Sequence, residues 1–300
     1  MRANTNKPKG GSKLVAGDTS PRRTVMRYFG GKWILAPWII EHFPGHRVYV
    51  EPYGGVASVL MRKTRAYAEV YNDLDGEVVN VFQVLQDLNS AGHLKRQLKL
   101  TPFSRKEFIK SYGLSSDPIE RARRTIVRSF MGFGANAVRT DGYKTGFRAD
   151  SNRSGTTPAH DWMNYPDQIK QFTERLRGVV IENRPALQII NQFDACGRND
   201  TLFYVDPPYV QTARGKSIGY THEMDDGDHI NLLKRLVEVR NMVVLSGYQN
   251  DLYEAHLPDW ICYKKDVYAD GARPRVECLW LNPLAQEQLR AEQVQTEIKF

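Results

Sequence analysis

The chain has 300 residues, of which 41% are hydrophobic and 25% charged, and this composition suits one large α/β domain or one domain with a sizeable insertion. It has no apolar run of about 18 residues and no apolar segment near its N-terminus, so we expect neither a membrane span nor a secretory signal. The formal net charge of +8 fits a polyanionic partner, although charge alone is a weak signal.

The N-terminal segment 1–23 is polar and basic, which predicts a disordered tail that adds phosphate contacts or solubility alone. The stretch 27–32 then holds two glycines and a lysine. Glycines before a helix let the backbone approach a ligand closely, and a lysine there can meet a carboxylate. Apolar spacing over 33–43 predicts a helix that Pro37 either bends or begins.

Residues 48–50 read as a strand that runs into a glycine turn, 51–55, and a short helix, an arrangement typical of nucleotide-binding folds. The spaced glycines of a dinucleotide fingerprint are missing, and so is the Lys-Ser pair of a phosphate-binding loop. A second strand, 67–71, leads to Asp73, where an acid about 20 residues past the turn suits the hydroxyls of a ribose. Asp73 could instead cap the helix that follows, but Asp75 is better placed for that role.

The character of the chain changes between 101 and 165. Asp117-Pro118-x-Glu120 predicts a capping box before a helix whose polar face carries arginines. A long irregular stretch, 132–166, follows. Its basic, amide and aromatic residues suit phosphates and base edges, with an unspecific solvated loop as the alternative. The candidates for nucleic-acid contact are Arg124, Arg128, Asn136, Arg139, Lys144, Arg148, Asn152 and Arg153.

Residues 201–205 are apolar, aromatic and β-branched, which predicts a buried central strand ending in Asp206-Pro207-Pro208-Tyr209. The prolines stiffen the turn and leave the carbonyls of Asp206 and Pro207 free to accept hydrogen bonds beside a flat ring. Ligands of open α/β sheets bind at this strand edge. Two acceptors facing an exocyclic amino group would return electron density to its nitrogen, and a stacked ring would hold the base flat.

The remaining elements frame this strand. We expect a strand at 178–182, a mobile loop at 210–224 that closes over a ligand, a strand at 242–246, an antiparallel pair at 260–268 and 276–281, and a frayed polar helix from about 284. Cys196, Cys262 and Cys278 lie far apart without metal-ligand spacing. They are typical of reduced thiols in a cytoplasmic protein, and we expect no metal site.

Three of these motifs together resemble one family. Asp206-Pro207-Pro208-Tyr209 is similar to the Asp/Asn/Ser-Pro-Pro-aromatic motif of the DNA amino-methyltransferases, in the form of their adenine-N6 branch. The Gly-Gly-Lys stretch and the Glu-Pro-Tyr-Gly-Gly turn occur in the family's order, and the resemblance covers about residues 26–283. The chain looks like a Dam-type enzyme of a phage or prophage. One departure is Ala57, where a second spaced glycine is usual, and we expect it to cost a little cofactor affinity.

The resemblance implies a Rossmann-like methyltransferase sheet with helices on both faces and an inserted target-recognition region. It implies a cofactor-binding half at 24–100, target recognition at 101–165, a catalytic half at 166–283 and a polar tail at 284–300. The implied cofactor is S-adenosylmethionine and the implied partner is double-stranded DNA, in the cytoplasm of a bacterium or an infected host. The cofactor residues would be Tyr28, Gly30, Gly31, Lys32, Glu51, Pro52, Tyr53, Gly54, Gly55, Asp73 and Asp206.

The resemblance also implies roles for the Asp-Pro-Pro-Tyr residues. Tyr209 would stack on an adenine flipped out of the duplex, while the Asp206 side chain and the Pro207 carbonyl accept its N6 protons. Nitrogen would then attack the methyl group directly. Other acceptors remain open, namely cytosine N4, RNA adenine or protein glutamine, and so does a DNA-binding module whose catalysis has lapsed. The sequence leaves the oligomeric state open, with a monomer among the options.

Overall fold

The computed structural model describes residues 21–139, 142, 144–149, 156–197, 199–214, 219–269 and 273–297. Within these ranges, short apolar runs rich in β-branched and aromatic residues form one seven-stranded sheet. The strands are β1 (Val48–Glu51), β2 (Ala68–Asn72), β3 (Val179–Glu182), β4 (Thr201–Val205), β5 (Met242–Tyr248), β6 (Ile261–Ala269) and β7 (Arg273–Leu281).

The strand order is β3-β2-β1-β4-β5-β7-β6. The first five strands are parallel, whereas β7 runs antiparallel to both β5 and β6. Val50 of β1 lies opposite Val70 on one side and Phe203 on the other. The connections run outward in opposite directions from β1 and β4, so the carboxyl ends of these two strands flank the crevice where such sheets bind ligands.

Helices cover both faces of the sheet. They are α1 (Ala36–Glu41), α2 (Ser58–Arg62), α3 (Gly76–Gln86), α4 (Leu88–Leu100), α5 (Arg105–Lys110), α6 (Pro118–Met131), α7 (Pro158–Asn164), α8 (Ile169–Leu176), α9 (Ala186–Asp194), α10 (Gln211–Arg214), α11 (Asp226–Val237), α12 (Asp251–His256) and α13 (Pro283–Glu297). None of the helices in the described ranges combines the length and apolar character needed to cross a membrane.

Strand β4 shows how the two cores form. Its residues are all buried, and because successive side chains point to opposite faces, Leu202 and Tyr204 join the core under α3, α4, α6 and α8. Phe203 and Val205 join the second core, under α9, α11 and α12. The predicted buried central strand and the Rossmann-like α/β fold are confirmed.

Several helix starts follow the predicted capping residues. Pro37 lies in the first turn of α1, and Asp75 caps α3 by accepting a hydrogen bond from Glu77 N at 2.9 Å. The predicted capping box of α6 is wrong in part. Asp117 accepts a hydrogen bond from Ile119 N, but the Glu120 carboxylate binds arginines of its own helix.

The described residues of the stretch 132–166, which exclude 140, 141, 143 and 150–155, form more regular structure than the predicted irregular loop. It contains a 3-10 helix (Ala135–Val138), a β-bridge between Gly132 and Phe147, and α7, and a second 3-10 helix (Tyr165–Gln168) begins at its end. These elements are too short for a periodic sequence signal. Trp162 packs against Phe130 as part of the core, with ring centroids 5.9 Å apart.

The two ends of the chain also differ from expectation. Residues 1–20 of the predicted tail lie outside the described ranges, but Arg23 belongs to the fold. Its guanidinium pairs with Asp161 at 3.0 Å and lies 5.0 Å from the centre of the Phe130 ring. At the other end, α13 is a docked helix rather than a frayed one, because Ala285 and Leu289 are buried against the sheet.

Candidate active site

A cavity of about 320 Å³ opens at the carboxyl ends of β1, β2 and β4. Three segments distant in sequence meet there because parallel strands end at one edge of the sheet. All eleven residues predicted to bind a cofactor line this one cavity: Tyr28, Gly30, Gly31, Lys32, Glu51, Pro52, Tyr53, Gly54, Gly55, Asp73 and Asp206. Their juxtaposition agrees with the prediction, and their roles stay predictions.

The glycine turn after β1 is tied to the end of β2. Gly54 N donates to Asn72 O at 2.7 Å, and Gly55 N donates to the Asp73 carboxylate at 2.7 Å. The same carboxylate accepts from Asp75 N at 2.8 Å. Burial raises the pKa of Asp73 to about 6, although the two backbone N–H groups oppose that rise. Asp73 therefore shapes the turn as well as lining the cavity.

Ala57 sits at the end of this turn in the left-handed conformation, with φ of 51°. A side chain in that region costs about 1–2 kcal/mol, which explains why a glycine is usual at this place in the family's motif. Ala57 is fully buried beneath the turn and does not line the cavity. The strained backbone of Ala57 therefore lowers the free energy of unfolding, and the predicted loss of cofactor affinity stays a prediction.

Glu51 ends β1 with a buried carboxyl group. Its Oε2 accepts from Tyr49 OH at 2.9 Å and from Leu60 N at 3.2 Å. Burial raises the pKa of Glu51 to about 8, and the Asp206 carboxylate adds to the rise. Glu51 and Asp206 are thus two buried acids that line one cavity, an arrangement that favours a cationic ligand.

Lys32 occupies the centre of this acidic cluster. Its ammonium nitrogen lies 3.0 Å from Asp206 Oδ1, donates to Gly30 O at 2.9 Å, and stands 4.5 Å from the centre of the Tyr209 ring. Burial alone would lower the pKa of Lys32, but the Asp206 and Glu277 carboxylates raise it well above its usual range. The predicted partner of Lys32 was a cofactor carboxylate, whereas here it binds the Asp-Pro-Pro-Tyr acid.

The Asp206 carboxyl group faces the cavity, while Tyr209 is turned away from it. Burial raises the pKa of Asp206, and Lys32 opposes that rise. Tyr209 is 4% exposed, and its hydroxyl contacts Ser246 Oγ at 2.9 Å and donates to Glu277. Its ring face meets the Lys32 ammonium. The stacking of Tyr209 on a flipped adenine therefore stays a prediction.

The segment predicted to close over a ligand forms one wall of the cavity. Tyr220, His222, Glu223 and Met224 line it, although residues 215–218 lie outside the described ranges. Tyr220 covers Gly30 so closely that a Cβ at that glycine would lie 2.4 Å from the tyrosine hydroxyl. The segment is held down because Glu223 forms an ion pair with the buried Arg214.

Sequence reasoning missed several polar residues of the site. Ser58 and Tyr204 line the cavity, while Ser246 and Glu277 lie behind Tyr209. One signal was present, because Glu277 is the one acid in the otherwise apolar run 276–281. The hydroxyl-bearing residues carry no comparable signal.

The predicted nucleic-acid contacts divide into three groups. The prediction for Arg128 is wrong, because this residue is only 3% exposed and its guanidinium donates to Ser111 O and to Thr125 Oγ1. Arg124 is turned toward Glu120 and Leu114 O, so its role is unsupported. For the third group the role stays a prediction: Lys144 is exposed, Asn136, Arg139 and Arg148 are partly exposed, and Asn152 and Arg153 lie outside the described residues.

Arg139 is the member of this group nearest the cavity. It donates to Gly219 O at 2.9 Å, beside the segment that walls the cavity. Lys144 is exposed, with its ammonium 5.6 Å from the centre of the Tyr112 ring. The structure thus brings part of the insert to the rim of the cavity.

Comparisons with known proteins agree with this geometry. The model of the D12 class N6 adenine-specific DNA methyltransferases matches residues 28–268, which is most of the chain. A modification methylase, LlaI of Lactococcus lactis subsp. lactis, is 24% identical over 227 residues. That alignment covers 72% of this chain and 35% of the relative, so the chain spans about a third of the relative's length.

Proposed function

This chain belongs to the D12 class N6 adenine-specific DNA methyltransferase family, and we propose that it transfers a methyl group from S-adenosylmethionine to N6 of an adenine flipped out of duplex DNA. The observation that carries the proposal is the Asp206 carboxyl group. It opens into the same cavity as every residue predicted to hold the cofactor. An acceptor beside a methyl-donor site is what an amine methyltransferase requires.

The residues of the cavity fit the proposed cofactor. Among the described residues, Ser58 Oγ and Tyr204 OH are buried without a hydrogen-bond partner. Together with the Glu51 and Asp73 carboxyl groups, they suit a ligand rich in hydroxyl, amino and positively charged groups. S-adenosylmethionine has these groups, and when bound it supplies a methyl group on a positively charged sulfur. Asp73 would hold its ribose hydroxyls, and the 28–32 stretch its methionine end.

The protein's part in the reaction is to position the amine and to balance charge. Asp206 and the Pro207 carbonyl accept the two N6 hydrogens, which returns electron density to the nitrogen. The carboxylate then offsets the positive charge that grows on nitrogen and takes up the released proton. Lys32 is the present partner of Asp206, so the target amine and the Lys32 ammonium compete for one carboxylate.

We assign substrate recognition to the insert. Segments 24–100 and 166–283 then form the methyltransferase core, and 101–165 selects the site on double-stranded DNA. Arg139, Lys144 and Arg148 are the basic candidates that keep this role. Arginine can pair with guanine in the major groove, and lysine can neutralise phosphates.

The test is methyl transfer from labelled S-adenosylmethionine to duplex DNA, followed by digestion and identification of the methylated nucleoside. We expect N6-methyladenine from the wild type. We expect Asp206→Ala to reduce turnover by roughly 1000-fold or more while the protein still folds. Asp266→Ala, which removes an exposed carboxylate of β6, is the matched control and should leave turnover unchanged.

Each alternative gives a different result. Label on cytosine, RNA or protein glutamine would move the proposal to another acceptor. DNA binding without any transfer would indicate a module whose catalysis has lapsed. Wild-type turnover in Asp206→Ala would remove Asp206 from the reaction.

A further inference from the structure

Glu277 is a buried acid in a part of the sheet that no recognised motif covers. It lies on β7 opposite Tyr248 of β5, and two residues later Leu279 lies opposite Ser246. Its neighbours Cys278 and Leu279 are fully buried, and Glu277 itself is only 2% exposed. Burying a carboxyl group is costly unless specific partners compensate, so the identity of those partners indicates its purpose.

The partners of Glu277 are two hydroxyl groups of the active site. Its Oε1 accepts hydrogen bonds from Ser246 Oγ, at 3.0 Å, and from Tyr209 OH. The two hydroxyls also contact each other at 2.9 Å. Three side chains on neighbouring segments, after β4, on β5 and on β7, thus form a closed triangle of polar contacts behind the Asp-Pro-Pro-Tyr turn, in which the two hydroxyl hydrogens make two hydrogen bonds at a time.

The triangle holds one end of Tyr209, and other contacts hold the rest. Arg214 Nε donates to Tyr209 O at 2.6 Å, which fixes the backbone. The edge of Tyr248 packs against the Tyr209 ring, with centroids 4.7 Å apart and planes 74° apart. The hydroxyl is the far end of the side chain, so its anchor fixes the direction of the ring axis, while the Tyr248 contact restricts rotation about that axis.

The Glu277 carboxyl group also adds negative charge to the acidic cluster around Lys32. The carboxylates of Glu277 and Asp206 both act on the Lys32 ammonium, which lies at the face of the Tyr209 ring. Burial raises the pKa of Glu277, and Lys32 opposes that rise. Glu277 is thus coupled to the residues that meet the substrate, although Tyr209 and Ser246 separate it from the cavity.

We propose that Glu277 and Ser246 are positioning residues that fix the Tyr209 ring for stacking on the target base. This rests on the function proposed above. Neither residue touches the substrate, and both act through the Tyr209 hydroxyl. If that hydroxyl is released, the ring shifts from the position that aligns the amine with Asp206, and the rate of methyl transfer falls while the cofactor still binds.

Three variants test the anchor. Tyr209→Phe keeps the ring and removes the hydroxyl, Glu277→Ala removes the acceptor, and Glu277→Gln keeps an acceptor oxygen. We expect the first two each to lower kcat by about 10- to 100-fold, the scale of one lost hydrogen bond to a charged group, with cofactor Kd unchanged. The double variant should be no slower than the slower single one. Glu277→Gln should stay within about fivefold of wild type.

The matched control is Tyr253→Phe. This change also removes a buried hydroxyl of the same core, but its partner is His229 Nδ1, at 3.0 Å, outside the triangle. It should lower kcat by less than about twofold. Fluorescence of a 2-aminopurine placed at the target position reports stacking of the flipped base. The quench given by the wild-type complex should be reduced in Tyr209→Phe and Glu277→Ala and kept in Tyr253→Phe.

Independent effects of Tyr209→Phe and Glu277→Ala that multiply in the double variant would overturn the proposal. So would a Glu277→Gln enzyme as slow as Glu277→Ala. The wild type is assayed first, and the methylated nucleoside is identified. If the label lies on another amine, the function proposed above fails, and the variants are compared on that acceptor. If the wild type transfers no methyl group at all, both proposals fail together.

Discussion

Replacing Gly54 by alanine should damage the cofactor turn in a calculable way. A Cβ at Gly54 would lie 2.2 Å from Tyr71 Cε2, 2.5 Å from Tyr71 Cδ2 and 3.0 Å from Asn72 O. The ring cannot yield, because Tyr71 is fully buried, packs with its ring centre 4.5 Å from that of Phe82 and donates its hydroxyl to Gly55 O at 2.7 Å. Overpacking of this kind costs about 1–3 kcal/mol, and two overlapping ring atoms place it near the upper end.

Urea unfolding measures this loss, and titration calorimetry with S-adenosylmethionine measures the effect on the site. Because the turn must move away from Tyr71, we expect affinity to fall by roughly tenfold or more, the effect of displacing one or two hydrogen-bonding groups. Gly92→Ala is the control, since the exposed Gly92 of α4 has no atom within 4 Å of its added Cβ. It should gain about 0.5–1 kcal/mol. Equal stability and equal affinity in the two variants would refute the reasoning.

Three further changes test other parts of the structure. Ala57→Gly should raise the free energy of unfolding, measured in urea, by about 0.5–1 kcal/mol, because glycine adopts the left-handed φ of 51° without strain. As the control, Ala291→Gly in the exposed face of α13 should lower the free energy of unfolding by a similar amount. Arg128→Ala removes a buried side chain, so it should lower the free energy of unfolding by about 1–3 kcal/mol and leave the DNA affinity of the folded protein unchanged. Lys144→Ala should do the opposite, leaving stability unchanged and weakening DNA binding. Burial raises the pKa of Glu51 to about 8 from an ordinary 4.5. Between these two pH values the folded state keeps a proton that the unfolded chain loses, so the free energy of unfolding should fall as the pH rises from 4.5 to about 8. Glu51→Gln should remove this part of the decline, seen as a smaller difference between urea midpoints at pH 5 and pH 8.5.

The parallel half of the sheet was predictable because local chemistry determines it. The apolar run 201–205 has to be buried on both faces, and the acid and prolines after it end the strand where the sheet order reverses. Asp75 could be assigned as a cap from its position alone, since capping depends on neighbours in the sequence. The eleven predicted cofactor residues meet at one cavity for the same reason, as parallel strands end at one edge.

The direction of each side chain was less predictable than its position. Tyr209 was correctly placed after β4, but the sequence contains no sign that its hydroxyl would find Glu277 on β7, 68 residues later. Lys32 was predicted to lie beside the site, but the sequence alone does not show which carboxylate becomes its ion-pair partner. Asp206 lies within 3.0 Å and binds it. Such pairings arise from the tertiary fold, because strands distant in sequence bring the partners together.

The arginines of α6 show why charge alone misleads. Arg121, Arg124 and Arg128 are spaced three or four residues apart and share one face of the helix, which by periodicity reads as a solvent face. In the structure α5 and the segment before α6 cover much of it with free carbonyls, and Ser111 O and Leu114 O accept from Arg128 and Arg124. A guanidinium has five donors in a fixed fork, so it can satisfy the carbonyl ends of a short helix as readily as a phosphate. A basic helix face therefore predicts anion binding only where the rest of the chain leaves its arginines in contact with solvent. The buried Arg128 fails this condition, whereas Lys144, elsewhere in the insert, is exposed and meets it.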